Sequence, residues 1–181
     1  HDFVRKNKND FNRLEKLSFT SRRHREDKNA IYIGCTVGIY YLDVKKIEKH
    51  FIQDHLSDYP LIAQSISYFS ATNSYFSEIY KGGVNDKEII DKIIFEIENG
   101  AFNLLNTFPD LKSIYLGILN KHLFFYEYYN VYNERKTLTV SCIVYLVAGK
   151  DKAIDWLEEN IQNDNRKIQL IQNFEKLGNV W

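Results

Sequence analysis

A chain of 181 residues can bury roughly two-thirds of its unfolded surface, so it needs neither disulfides nor a metal to hold a core. Lys+Arg and Asp+Glu are equal at 24 each, which argues against wholesale attraction to nucleic acid or anionic membrane. Aromatics make up 15% of the chain, with 13 Tyr and 12 Phe, so a few large side chains supply much of the buried area.

The charge is uneven along the chain. Residues 1–28 hold nine basic and five acidic side chains, net +4, which leaves 15 basic and 19 acidic, net −4, in the remainder. Abundant Lys, Ile, Asn and Tyr, with Pro only at positions 60 and 109, fit an AT-rich bacterial coding sequence. The absence of Met places the native start elsewhere than residue 1. Cys35 and Cys142 each lie within an apolar run, with no C-x-x-C, and read as two buried free thiols in a reducing cytoplasm. Ala30–Leu42 and Ser113–Tyr132, the longest apolar stretches, are too short or too interrupted for the about 20 residues a membrane span needs. No signal-peptide pattern opens the sequence. A cytoplasmic protein with no membrane association is expected.

In chain order, Phe3, Phe11, Leu14 and Leu17 recur at near-helical spacing, which predicts a peripheral helix over Asp2–Leu17. The polar SFTSRRHREDKN that follows reads as a loop carrying the cations Arg22, Arg23, His24 and Arg25. Ala30–Leu42 (AIYIGCTVGIYYL) is rich in strand formers but shows no polar–apolar alternation. Its neighbour VKKIEKHFIQDHL puts Val44, Ile47, Phe51 and Leu56 on one helical face, so the pair reads as a buried helix joined to an amphipathic one. The plan recurs twice. SYFSEIYKGGVNDKEIIDKIIFEI has a Gly82-Gly83 stop, an N-cap at Asn85 or Asp86, and a stripe of Ile89, Ile90, Ile93, Ile94 and Ile97. TVSCIVYLVAGKDKAIDWLEENI has a stop at Gly149, a cap at Asp151, and then Ala153, Ile154, Leu157 and Ile161.

Three αα-hairpins at irregular spacing are implied, packed around a central aromatic helix at about 113–132. The predicted fold is therefore all-α, a compact bundle in one domain covering 1–181, with 1–28 as a charged peripheral segment. The alternative is α+β, with strands at 30–42 and 137–148. Gly100 and Pro109 bracket a short piece, and Ile168, Ile171 and Phe174 or Leu177 mark a last amphipathic helix that Gly178 ends.

Few residues offer chemistry. His50, Asp54, His55 and Asp58 are the best metal candidates, but His55 lies about 140° round a helix from His50, and H-E-x-x-H is absent. His122, among Tyr115, Ile118, Phe125, Tyr126 and Tyr129, reads as a core histidine. There is no nucleophile elbow, no phosphate loop, and no Arg followed five to seven residues later by His. No catalytic residue, metal or cofactor is assigned. The aromatic series Phe124, Phe125, Tyr126, Tyr128, Tyr129 and Tyr132 reads as core with a share left for a protein-binding face, since Tyr gives large contact area at small entropy cost.

In the αα-hairpin plan, and in segments such as YLVAGKDKAIDWLEENI, the chain faintly resembles the helical immunity proteins that bacteria pair with interbacterial or polymorphic toxins. The resemblance covers the latter two-thirds and includes no diagnostic motif. It implies a non-catalytic inhibitor that binds a cognate toxin, its acidic surface set against a basic one, with fast, electrostatically steered association. Candidate partner-binding residues are Glu127, Tyr128, Glu134, Asp155, Glu158 and Glu159. The alternatives are a nucleic-acid-acting enzyme of a defence or toxin system, or a regulatory or scaffolding domain.

Overall fold

The computed structural model describes residues 2–51, 60–65, 78–122 and 134–177, and its first third is sheet. Strands β1 (Asp2–Lys6), β2 (Arg13–Arg23) and β3 (Ile31–Tyr41) follow one another, then β4 (Ile62–Ser65) and β5 (Glu78–Tyr80), in the order β1-β2-β3-β4 with β5 also on β3. The protein is α+β, which overturns the all-α bundle, the peripheral helix over Asp2–Leu17 and the buried helix over Ala30–Leu42.

Each error has a physical cause. In β2 the inward residues are Arg13 and Glu15, 1% and 5% exposed, so the alternation is present but inverted in polarity. In β3, Val37, Gly38 and Ile39 are consecutive and all buried, so both sheet faces are covered there and no alternation is left to read. The turn chemistry was legible: Asn7 and Asp10 accept from the backbone N–H groups of Asn9 (2.9 Å) and Asn12 (3.0 Å), closing the β1–β2 hairpin.

Two compact units divide the chain: residues 1–40 with 62–109, and residues 41–61 with 110–181. In the first unit, β1 pairs antiparallel with β2, from Asp2 opposite Ser18 to Lys6 opposite Leu14. β4 and β5 lie antiparallel to successive parts of β3, Ile62–Ser65 against Ile39–Thr36 and Glu78–Tyr80 against Ile33–Ile31. Both therefore run in one direction, like a single strand interrupted in sequence by residues 66–77.

Helix α2 (Asp86–Glu96) confirms the predicted start, although Asn85 makes no capping bond; its Oδ1 accepts from the Lys81 N–H instead. Gly100 does not break the helix. A π-helical turn, Ile97–Ala101, carries the chain on into α3 (Phe102–Thr107), with helical backbone at both junctions. In an unbroken α-helix, Ala101, Leu104, Leu105 and Phe108 would sit about 100° round from Ile89 and Glu96. The extra residue in the wider turn removes that offset, and all six side chains are buried.

The second unit is helical: α1 (Leu42–Phe51), α4 (Leu111–Leu119), α5 (Glu134–Ala148), α6 (Lys150–Asn160) and α7 (Asp164–Lys176). The predicted α1 face holds at Val44, Ile47 and Phe51; Leu56 lies outside the described residues. α5 is buried at every position from Thr137 to Val144, as expected of a helix apolar all round, so the alternative reading of a strand at 137–148 is wrong. The α5–α6 hairpin turns at Gly149, whose φ of 92° favours glycine.

The aromatic helix is shorter than predicted. α4 opens with a capping box between Asp110 and Ser113 and ends at Leu119. The N–H of Lys121, at φ 51°, donates to Ile118 O, and that of His122 donates to Gly117 O, the pairing of a Schellman motif. His122 is therefore beyond the helix, and residues 123–132 of the predicted helix lie outside the described ones. In α7 the buried face is Leu170, Phe174 and Leu177, whereas Ile168 is 54% exposed. Phe174 packs on Phe51 (4.6 Å between rings) and Tyr145 (5.4 Å), tying α7 to α1 and α5. Among the described residues no helix is long and apolar enough to cross a membrane.

Candidate interaction surfaces

In the first unit a buried charged cluster fixes one sheet face to α3. The Arg13 guanidinium donates to the Leu105 carbonyl (3.1 Å) and to the Phe108 carbonyl, at the C-terminal end of α3, where a cation suits the helix dipole. Glu15 lies beside it, with Oε1 2.9 Å from Arg13 Nε. That contact is an ion pair and not a hydrogen bond, since the Nε–H does not aim at the oxygen. Arg5 Nε (2.8 Å) and Asn7 Nδ2 (3.2 Å) donate to the same carboxylate. Two guanidinium groups flank one carboxylate, and together they tie β1 and β2 to α3.

Beside this cluster an open cleft of about 170 Å³ lies between the outer strands and α3, lined on its apolar side by Phe3, Leu17, Val37, Phe102 and Leu105. Its rim is unusually apolar for a surface, with Phe3 64%, Val4 60% and Phe102 43% exposed. The Ile stripe read from the sequence is only part core. Ile89 is 3% exposed, but Ile90 and Ile94 are 54% and 48% exposed. With the π-turn counted, Ile90, Ile94 and Phe102 point the same way within about 40°. Val84 and Phe95 add two more exposed apolar side chains in this segment, Phe95 on another side of the helix.

The cationic stretch falls at the end of β2 and in the turn to β3. Arg22 stacks on Tyr32 with its guanidinium carbon 5.1 Å from the ring centre, and the His24 ring lies 4.8 Å from the same ring. His24 Nδ1 accepts from the N–H groups of Glu26 (3.2 Å) and Asp27 (3.0 Å), which places its ring proton on Nε2. The residues bind one another and the turn, as a solvated hairpin tip does.

Of the predicted partner-binding residues, Asp155, Glu158 and Glu159 are exposed on α6, and Asp155 is 3.1 Å from Lys152. That hydrogen bond holds the Lys152 ammonium above its usual pKa. Glu134 opens α5, while Glu127 and Tyr128 lie outside the described residues, as do the aromatics 124–132. His50 is exposed in the last turn of α1, and Asp54, His55 and Asp58 lie outside the described residues. Among the described residues no three metal-ligating side chains cluster.

The second unit holds a buried polar group that the sequence reading missed. Lys45 Nζ is 2.6 Å from Glu48 Oε2, and Thr139 donates its hydroxyl to Glu48 Oε1, joining α1 to α5. The thiol of Cys142 is pushed well above its ordinary pKa by burial first and by the Glu48 charge second; Cys35 is pushed up to about 12 by burial. Both thiols are free and buried, as their apolar context predicted. No protein-family model, curated protein or solved structure matches this chain.

Proposed function

We propose that the protein acts by binding another protein without chemistry of its own, through the exposed apolar side of α2 and α3. The observation that carries this reading is the clustering of exposed apolar residues. Ile90, Ile94 and Phe102, 54%, 48% and 43% exposed, point the same way along this helical run, and Val84 and Phe95 add exposed apolar area in the same segment. Single exposed apolar residues are ordinary, but a concentration of this kind marks an interaction surface.

The partner we propose is a cognate bacterial toxin with a basic surface, which the chain would neutralise. Two features support this. YLVAGKDKAIDWLEENI, on which the resemblance to immunity proteins rests, forms the α5–α6 hairpin, and Asp155, Glu158 and Glu159 stand exposed on it. Exposed acids of this sort act on encounter rate and salt dependence more than on the lifetime of a complex.

The test is titration calorimetry and stopped-flow binding with the toxin domain encoded beside this gene. Ile90→Glu with Ile94→Glu should weaken affinity at least about tenfold through faster dissociation. Asp155→Lys, Glu158→Lys and Glu159→Lys together should slow association and flatten its salt dependence. Absence of binding at micromolar concentration would sink the toxin reading, and binding indifferent to Ile90 and Ile94 would sink the surface.

A further inference from the structure

β1 ends the sheet order: its one strand neighbour among the described residues is β2. All five of its residues are exposed. The direction of its unused backbone groups follows from the ladder. The Asn7 N–H donates to Arg13 O (3.1 Å), and antiparallel pairs alternate between bonded and non-bonded partners. Arg5 and Phe3 therefore exchange bonds with Glu15 and Leu17. The N–H and C=O groups of Asp2, Val4 and Lys6 point outward. An edge of this kind is a template for another strand unless its side chains forbid it.

The side chains of DFVRK do the reverse. With a two-fold axis through Val4, a second copy would set Val4 against its own Val4, Asp2 against Lys6 and Phe3 against Arg5. The outward groups of Asp2, Val4 and Lys6 would then meet one another in bonded pairs, six hydrogen bonds in all by the antiparallel pattern. Opposite charges face each other at both ends, and an Arg lies on a Phe at both flanks. A shift of two residues either way removes this match: one places Phe3 against Phe3 and leaves Lys6 beyond the pairing, the other places Arg5 against Arg5. Lys6 makes no ion pair among the described residues, and Asp2, 2.8 Å from Lys16, would share its carboxylate between Lys16 and the second copy's Lys6.

We propose that the protein forms a two-fold dimer by antiparallel pairing of β1 with β1 of a second copy, in the register centred on Val4. The two sheets become one. Five residues a side bury less than the roughly 800 Å² per partner of a tight interface, even with exposed Phe3 and Val4 added, so the dimer forms in the micromolar range. Phe3 and Val4 share a cleft rim with Phe102 of the proposed partner surface, but the pairing rests on the β1 backbone and its charges, so this inference does not depend on the proposed function.

Sedimentation velocity of the 181-residue chain from about 1 to about 200 μM tests it. The chain should pass from monomer to dimer. Lys6→Asp should weaken the dimer about tenfold, by setting Asp2 against a carboxylate at both ends. Adding the double exchange Asp2→Lys with Lys16→Glu to that variant should restore it to within about threefold, since the pairs between copies re-form with charges exchanged and residue 2 keeps an opposite charge at residue 16. Val4→Pro should abolish it and leave circular dichroism unchanged, because the Val4 N–H is not used within the monomer. A monomer across the whole range overturns the proposal. So does a dimer indifferent to Lys6→Asp, or one the double exchange fails to restore. Should Val4→Pro disturb the fold, the charge variants carry the decision alone.

Discussion

Arg13 shows how one side chain can organise a unit while looking, in sequence, like a surface residue. It is 1% exposed, its donors go to two carbonyl groups ending α3, and its charge lies beside Glu15. Arg13→Ala should cost about 2–3 kcal/mol in chemical denaturation, because it leaves two buried helix-end carbonyls without a donor, while Arg5 and Asn7 still hold the Glu15 carboxylate. Arg13→Lys should recover only part of this, since an ammonium lacks the planar fork that lets Arg reach both carbonyls. The cysteines invite a different test. With the Cys35 thiol pushed up to about 12 and that of Cys142 also raised, native protein at pH 8 should react with thiol reagents only as fast as it unfolds. The sign of the linkage is fixed. A folded pKa above the unfolded value near 9.0 means the unfolded chain releases its proton first as pH rises. The contribution to stability is complete below pH 9 and is lost between about pH 9 and 12, so the urea midpoint should fall across that window.

At the scale of elements, the π-turn at Ile97–Ala101 decides which residues of a 22-residue helical run are core, since 86 to 107 is continuous helix. Asn99 is exposed there, and its side chain bonds only back to the Phe95 carbonyl (2.8 Å). Deleting Asn99 should remove the bulge and leave a regular helix in which Ala101, Leu104, Leu105 and Phe108 keep the Ile89 face, with stability within about 1 kcal/mol of the parent, because the residue lost is the one the π-turn absorbs. Inserting an Ala after Asn99 should instead turn those four side chains about 100° off the Ile89 face, with a loss of about 3 kcal/mol or more in thermal or urea unfolding. Asn99→Ala, which keeps the length, should lie within about 0.5 kcal/mol of the parent. Helices α1, α2, α5, α6 and α7 were legible because apolar spacing at 3.6, Gly149 and the acidic openings at Asp43, Asp151 and Asp164 act locally. β3 was legible only as the alternative strand at 30–42, from its strand-forming residues, because burial on both faces erases the period of two that distinguishes a strand.

Across the whole molecule, what sequence could give of the candidate surfaces followed the same division. The exposed acids Asp155, Glu158 and Glu159 were readable as a helix face opposite Ile154 and Leu157. The exposed Ile90 and Ile94 were not, since an Ile stripe reads as core until the partner face is known. Likewise DFVRK carried its self-complementary order in plain sight, but the order has meaning only once β1 is a strand at a sheet edge.

By itself the sequence determined what depends on neighbours in the chain: amphipathic helix faces, the Gly149 turn, two inert thiols and no apolar run long enough for a membrane span. The tertiary structure alone decided the fold class, the inward turn of Arg13 and Glu15, the pairing of Lys45 and Glu48 with Thr139, and which apolar residues stay uncovered. The reason is one of range. Helical signals repeat within a few residues, whereas strand pairing and the burial of charge rest on partners such as Phe108, 95 positions from Arg13, which no local pattern records.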